Sequence, residues 1–462
     1  MRILLIQSLT KNFRPIFPIG LARIASLIQD KHQIKIFDPN IEQNIRGTLL
    51  QILVDFKPDV VGISLRSIDS VTYLAREYFY TDFVRLIRFI RMTKPNLKIV
   101  VGGGGFSLFA QEIMQENPEI DIGVFLEGEE TFAELLDHFD DCRQVKGLFI
   151  RNNSEIFFTG NRNFLDFEKL PFPAYKLFQI EKYPSKDGAI GIESKRGCAL
   201  KCAYCPYPFL NGQNVRIRSA AAVVDEIEFL VSTYDLKKFS FIDSVFNIPV
   251  EHSINICQEI LKRELNVRWS GWINEKAFDE EYARLAVSAG CVNLPFSTDG
   301  FSDKSLQLLG KNFRNKDILK TVEIAKKIDG INISYNFFLN PPGTSLKTFF
   351  QMFLFLIKSK WILGRKMKGF KSFLFNRIRI EPHTKIRDRA IKEDLIKSDT
   401  NLLTPMFYSH PSTRVLEIIF DLVSWPLDLW SKFRRFMKFG IKRREMGGTQ
   451  ETLMTRSRIK SQ

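Results

Sequence analysis

Ser194–Pro208 reads SKRGCALKCAYCPYP and places cysteines at 198, 202 and 205. Three thiolates at this CxxxCxxC spacing can each bind one iron of a 4Fe–4S cubane, which ordinarily takes four protein ligands. No fourth Cys follows nearby, so one iron is left open to a small molecule. A zinc site would want a fourth Cys or His at ligand spacing, and the nearest His is the distant His252. Six cysteines in 462 residues are no disulfide framework. Clustering of three of them points to metal in a reducing compartment. Cys142, Cys257 and Cys291 stand singly in helix or strand patterns and read as buried, inert thiols.

The cysteine segment follows the first strand of an α/β series running from Ile190 to about Lys392. Strands are expected near 190–195, 238–243, 267–272, 291–298, 331–339 and 372–380. Helical patterns lie between them, as in Ala220–Ser232 and Glu280–Ala289. Six such βα units predict a partial barrel, open along one side. Upstream, residues 151–189 have broken periodicity and carry Pro171, Pro173 and Pro184, so they read as a linker.

Residues 1–150 form another α/β series. Strands are expected at Arg2–Gln7, Ile34–Phe37, Val60–Ser64, Lys98–Gly102 and Ile122–Leu126, with helical segments between them. The prediction is a doubly wound, Rossmann-like parallel sheet, which binds ligands outside the carboxyl ends of its strands. Ser64, Ser67 and Asp69 gather there after the third strand, Gly102, Gly103, Gly104 and Gly105 after the fourth, and Glu127-Gly128-Glu129 after the fifth. Because the glycines follow the fourth strand rather than the first, they are a poor match to a dinucleotide fingerprint. Consecutive glycines let a backbone approach a bulky ligand closely, or simply close a tight βα loop.

The formal net charge is +15. From Arg414 onward, eleven Lys/Arg face five Asp/Glu in a helical extension taken as residues 396–462. Leu416, Ile419, Phe420, Val423, Leu427 and Trp430 fall at helical spacing there, ahead of Lys432, Arg434, Arg435, Lys438 and Lys442–Arg444. A second basic segment, Lys358–Lys371, interleaves Trp361, Ile362, Leu363, Met367 and Phe370. An apolar face with a cationic end suits either the surface of an anionic membrane or a helix docked on the barrel. Without a recognised module, nucleic acid is not expected as a partner. No transmembrane run or signal peptide is read, which predicts a cytoplasmic protein, with peripheral contact at the inner membrane face as the alternative the tail raises.

The cysteine segment, with Arg196-Gly197 before it and Tyr204 inside it, resembles the radical S-adenosylmethionine superfamily. Phe239–Asn247 (FSFIDSVFN) resembles its second barrel strand, with Asp243 at the end. Ser297-Thr298-Asp299-Gly300 stands where the fourth strand usually carries Gly-x-Glu-Ser. Phe337–Ser345 (FFLNPPGTS) resembles the fifth-strand motif, with Asn340 and Thr344 replacing a glycine and a glutamate, and Ile378–Thr384 (IRIEPHT) resembles the sixth. The resemblance implies a cluster on Cys198, Cys202 and Cys205 whose open iron holds S-adenosylmethionine. It further implies that Tyr204, Asp243, Asp299 and Asn340 contribute to the pocket of that cofactor, and that a 5′-deoxyadenosyl radical is generated with an electron donor such as flavodoxin or ferredoxin.

The N-terminal series resembles the cobalamin-binding domains fused ahead of such barrels. It does so through Pro18–Ala22, PDVVGIS at Pro58–Ser64 with Arg66–Asp69, Val101–Ser107 and Leu126–Glu130. Cobalamin contacts are thereby implied at Ser64, Ser67, Gly102, Gly103, Gly104, Glu127 and Gly128. Asp-x-His-x-x-Gly, which supplies a cobalt-coordinating His elsewhere, is absent, so no axial ligand can be named. The expected activity is methyl transfer to an unactivated carbon or to phosphorus of a small-molecule or lipid-like substrate. Ring formation or rearrangement is the alternative chemistry, and a non-catalytic corrinoid or iron–sulfur sensor the alternative class.

Overall fold

The computed structural model describes residues 1–10, 15–73, 76–184, 188–368, 376–418 and 420–421. Of the expected tail stripe, Ile419, Val423, Leu427 and Trp430 lie outside the described residues, as do the basic residues from Lys432 on.

The first five strands are β1 (Arg2–Gln7), β2 (Gln33–Phe37), β3 (Val60–Ser64), β4 (Lys98–Gly102) and β5 (Ile122–Val124), all parallel. Helices α1 (Ile19–Ile28), α2 (Ile45–Asp55), α3 (Tyr80–Thr93), α4 (Gly104–Leu108), α5 (Ala110–Glu116) and α6 (Glu129–Asp137) connect or follow them. Strands covered on both faces need apolar side chains on both. Accordingly Ile3 and Leu5 pack with Leu21, Ala25 and Phe132, while Leu4 and Ile6 pack on the other side with Leu49, Leu53 and Phe83. The order β2-β1-β3-β4-β5 reverses direction between β1 and β3, so a ligand crevice opens at their carboxyl ends.

Two strands absent from the sequence reading extend this sheet. β6 (Leu148–Asn152) lies antiparallel to β5, and β7 (Glu155–Phe158) antiparallel to β6. The two-residue turn places Asn153 at φ 52°, a left-handed conformation that Asn tolerates. The sheet thus continues to 158, past the point where the linker is expected to begin. The clue was the Asn-Asn-Ser turn between two short, partly apolar runs.

The second sheet consists of β8 (Gly191–Ile192), β11 (Lys238–Phe241), β12 (Arg268–Ser270), β13 (Cys291–Asp299) and β14 (Asn332–Phe337), parallel and adjacent in that order. Between β8 and β11, β9 (Lys195–Arg196) and β10 (Arg216–Ile217) form an antiparallel ladder. That ladder closes the base of the loop bearing the cysteines. The barrel helices are α7 (Tyr207–Asn211), α8 (Ala220–Tyr234), α9 (Val250–Lys262), α10 (Glu280–Ser288), α11 (Asp303–Leu308), α12 (Asn315–Lys327) and α13 (Leu346–Leu363), followed by α14 (Lys385–Lys392).

The sixth barrel strand differs from expectation. Leu339 N donates to Asn376 O at 3.0 Å, which lays the chain beside the end of β14. It then turns away as β15 (Ile378–Arg379) to pair antiparallel with β16 (Phe407–Tyr408). The cause is burial against the first domain: Ile378, Ile380, Leu402, Leu403 and Tyr408 share a core cluster with Leu4, Ile6 and Val101. An ion pair reinforces it, Arg379 Nε to Asp69 Oδ2 at 2.7 Å, with both side chains 1% exposed. The C-terminal region therefore starts with a strand, and its described helical turns begin at Pro411.

Candidate active site

The cysteine loop is fixed from several sides. Gly197 has φ +88°, and a Cβ there would lie 2.1 Å from Asn214 O, so only glycine fits. Cys198 N donates to Gly212 O at 3.0 Å. Ala203 N donates to Leu309 O, and Ala203 O accepts from Ile386 N, each at 2.8 Å. All six cysteines are unbridged. Burial raises the Cys202 thiol and pushes that of Cys205 up to about 12. Deprotonated thiolates at these positions call for a cationic partner, which a metal cluster supplies. Among the described residues no three His, Cys, Asp or Glu side chains converge on one metal-ion position. A cubane puts each thiolate on a different iron and does not need such convergence. Cys257 and Cys291 are buried, and Cys142 is half-buried.

Asp243 is placed behind this loop rather than open to a pocket. Its carboxylate accepts from Ser194 N (2.9 Å), Ser194 Oγ (2.5 Å), Lys195 N (3.3 Å) and Lys195 Nζ (3.2 Å). His252 Nε2 is 3.0 Å from Ser194 Oγ, and burial takes that imidazole down to about 4, so it is neutral. Asp243 therefore anchors the segment leading into the cysteines.

Tyr204 and Asp299 do come together. The Tyr204 hydroxyl donates to Asp299, and Lys311 Nζ donates to the same carboxylate and to Ser297 O at 2.7 Å. Burial works against the Lys311 ammonium, yet Asp299 and Tyr204 beside it hold its pKa well above the ordinary lysine value. Sequence reasoning missed Lys311, which lies beyond the four residues singled out at the end of the fourth strand. Glu275, beyond β12, was missed too. Burial pushes its carboxyl up to about 7, and its Oε1 has no hydrogen-bond partner among the described residues.

Asn340 is placed differently from expectation. Its amide donates to Glu417 Oε1 (2.9 Å) and His410 O (3.1 Å), and its oxygen accepts from Thr413. The C-terminal segment crosses the end of β14 and occupies the polar atoms expected to face a cofactor.

At the carboxyl ends of β1, β3 and β4 lies a cavity of about 540 Å³, within the ~300–1,000 Å³ range of ligand clefts. Ser64, Gly102, Gly103, Gly104 and Gly128 of the first domain line it together with Arg196, Tyr207 and Leu210 of the second. Glu127 also borders it, but its carboxylate is committed to Arg216 at 2.7 and 2.8 Å and to Leu165 N at 3.0 Å. Glu129 pairs with Arg196 at 2.6 Å. Glu129 thus ties the first domain to the residue two before Cys198, with Glu127 at a longer 3.5 Å from the same guanidinium. Ser67 does not line the cavity; its backbone lies behind Gly105. Arg66 reaches the cavity instead, an exposed side chain with its guanidinium in no hydrogen bond or ion pair among the described residues. Gly103 is needed for a different reason than ligand approach: at φ +99°, its Cβ would lie 2.7 Å from Leu65 O. None of the five histidines, at 32, 138, 252, 383 and 410, lines the cavity. An open, glycine-walled cleft with a free cation fits a bulky corrinoid that takes no protein imidazole.

Comparison with known proteins agrees with this two-part site. Residues 14–136 match the B12 binding domain, and residues 192–356 match the radical SAM superfamily. An uncharacterized methyltransferase of Pyrococcus horikoshii is 27% identical over 330 residues, covering 70% of each chain. The anaerobic magnesium-protoporphyrin IX monomethyl ester cyclase of Rubrivivax gelatinosus is 25% identical over 289 residues, covering 59% of this chain and 50% of the cyclase. The fold matches that of the radical S-adenosylmethionine methyltransferase TsrM from Kitasatospora setae, at TM-score 0.70 and 20% identity, covering 85% of this chain and 78% of TsrM. The architecture is a B12-type α/β domain ahead of a partial barrel that opens with a three-cysteine loop. The chain belongs to the radical S-adenosylmethionine superfamily, in the class carrying a B12-binding domain. It is an enzyme, and membership entails a 4Fe–4S cluster, S-adenosylmethionine and cobalamin as its cofactors.

Proposed function

We propose that this enzyme transfers a methyl group from cobalamin to an unactivated carbon, or to phosphorus, of a small biosynthetic intermediate. The observation that carries this reading is the shared cavity: Gly102–Gly104 of the first domain and Arg196 and Tyr207 of the cysteine loop border one space. When bound, the cluster with S-adenosylmethionine supplies a 5′-deoxyadenosyl radical, and cobalamin supplies the methyl group. The protein's own contribution is placement. Cys198, Cys202 and Cys205 hold the cluster, and Asp243 and Gly197 fix the loop that presents them. Asp299, Tyr204 and Lys311 form a charged wall beside Cys202. Arg66 offers a cation to the polar periphery of the corrinoid.

The methyltransferase names of two matched relatives support methyl transfer, and the cyclase name supports ring formation as a second reading. The open iron argues against a non-catalytic sensor, since a sensor has no need of a free coordination position. An external one-electron donor of flavodoxin or ferredoxin type and a cytoplasmic setting complete the proposal. Among the described residues no helix is long and apolar enough to cross a membrane.

Corrinoid retention tests the reading. Protein reconstituted with hydroxocobalamin is expected to keep about one equivalent through gel filtration, as a tight cleft ligand would. Its absorption spectrum is expected to lack a nitrogen-ligated, base-on signature, because no histidine lines the cavity. A folded protein that retains no corrinoid would remove the methyl-transfer mechanism.

A further inference from the structure

We propose that the outward face of α13 is a docking surface for an anionic lipid bilayer. The helix is apolar on two sides. Phe349, Met352, Phe355, Leu356 and Leu363 face the barrel core. Leu346, Phe350, Leu354, Ile357 and Trp361, at spacings of four, four, three and four, form an exposed stripe, with Leu354 63% and Trp361 82% exposed. Those positions span about 22 Å at 1.5 Å per residue. Val415 and Ile418 are exposed as well, on the helical turns that Phe420 packs against Phe349, with ring centroids 5.5 Å apart. A helix apolar on both faces is normally covered on both.

Charge identifies what covers this one. The sequence has no Asp or Glu between Asp329 and Glu381. Lys347, Lys358, Arg365 and Lys368 are exposed there, with no ion-pair partner among the described residues. The chain's own tail carries a basic surplus and a second copy carries the same +15, so both lack the anionic complement. Nucleic acid has the charge but offers nothing to five exposed apolar side chains. A bilayer interface rich in acidic lipid supplies both, an acyl boundary for the stripe and headgroups for the cations.

The test is flotation of the full-length protein with vesicles of phosphatidylcholine alone or with one quarter phosphatidylglycerol. Wild type is expected to float with the acidic vesicles at low salt and to be released at high salt, as screening shortens the reach of the basic residues. Leu354→Glu/Trp361→Glu changes only exposed positions and is expected to reduce binding about tenfold or more, with unchanged circular dichroism and melting. Absence of vesicle binding by wild type would overturn the proposal. So would wild-type binding by the stripe variant while Lys442→Glu/Arg443→Glu/Arg444→Glu abolishes it, which would assign the surface to the tail. A wild-type dimer that the stripe variant splits, with no vesicle binding, would make the face a contact between copies.

Discussion

Replacing Cys202 with Ala is expected to lower the iron content and 4Fe–4S absorbance of anaerobically reconstituted protein to background. Each of the three thiolates serves a different iron, so no neighbour can substitute for the lost one. The only other cysteines are Cys142, Cys257 and Cys291; the last two are buried elsewhere in the barrel, and burial pushes Cys257 up to about 12. Cys198→Ala and Cys205→Ala should behave alike, whereas Cys257→Ala should keep the full cluster. Iron and sulfide analysis with visible absorbance checks this. Wild-type cluster content in Cys202→Ala would mean that the loop is not the ligand set.

The second large effect is on stability. Lys311→Met removes the cation from the buried Asp299 carboxylate, and both side chains of that pair are at most 5% exposed. Breaking a buried pair by removing one partner typically costs about 3–5 kcal/mol, because an uncompensated charge stays behind. Replacing both members with uncharged residues is often close to neutral. Lys311→Met is therefore expected to lower the unfolding midpoint sharply, and Lys311→Met/Asp299→Asn to recover most of the loss. Thermal melts of the cluster-free proteins measure this. A single variant as stable as wild type would show that the pair does not hold the wall beside Cys202.

What the sequence made legible follows from where the information is local. β1, β3 and β4 fall where the sequence places them, each centred on an apolar run, because strands buried on both faces leave near-continuous hydrophobic signals. The cysteine loop is legible for a similar reason: its three ligands lie within one short, glycine-bounded segment. Other features depend on partners far along the chain. Asp69 meets Arg379 across 310 residues, and Glu127 meets Arg216 across 89. No periodicity records such pairings, so Glu127 reads as a cofactor contact when its oxygens are already engaged. Asn340 is a comparable case, since the segment that takes up its amide is about 70 residues away. Lys311 and Glu275 carry no motif of their own; only burial beside Asp299 and Cys202 singles them out. Arg66 lines the cavity and Ser67 does not, because the loop after β3 turns its backbone under Gly105, a detail set by steric contact rather than by residue type.

In the proposed function the three-cysteine loop and the space beside it carry out reductive cleavage of S-adenosylmethionine. The most direct test is to reconstitute the protein anaerobically with iron and sulfide, add S-adenosylmethionine and dithionite, and look for 5′-deoxyadenosine by chromatography and mass spectrometry. Wild type is expected to form it, and Cys202→Ala to form none. A protein that assembles the full cluster and binds S-adenosylmethionine, yet releases no 5′-deoxyadenosine under these conditions, would contradict this reading.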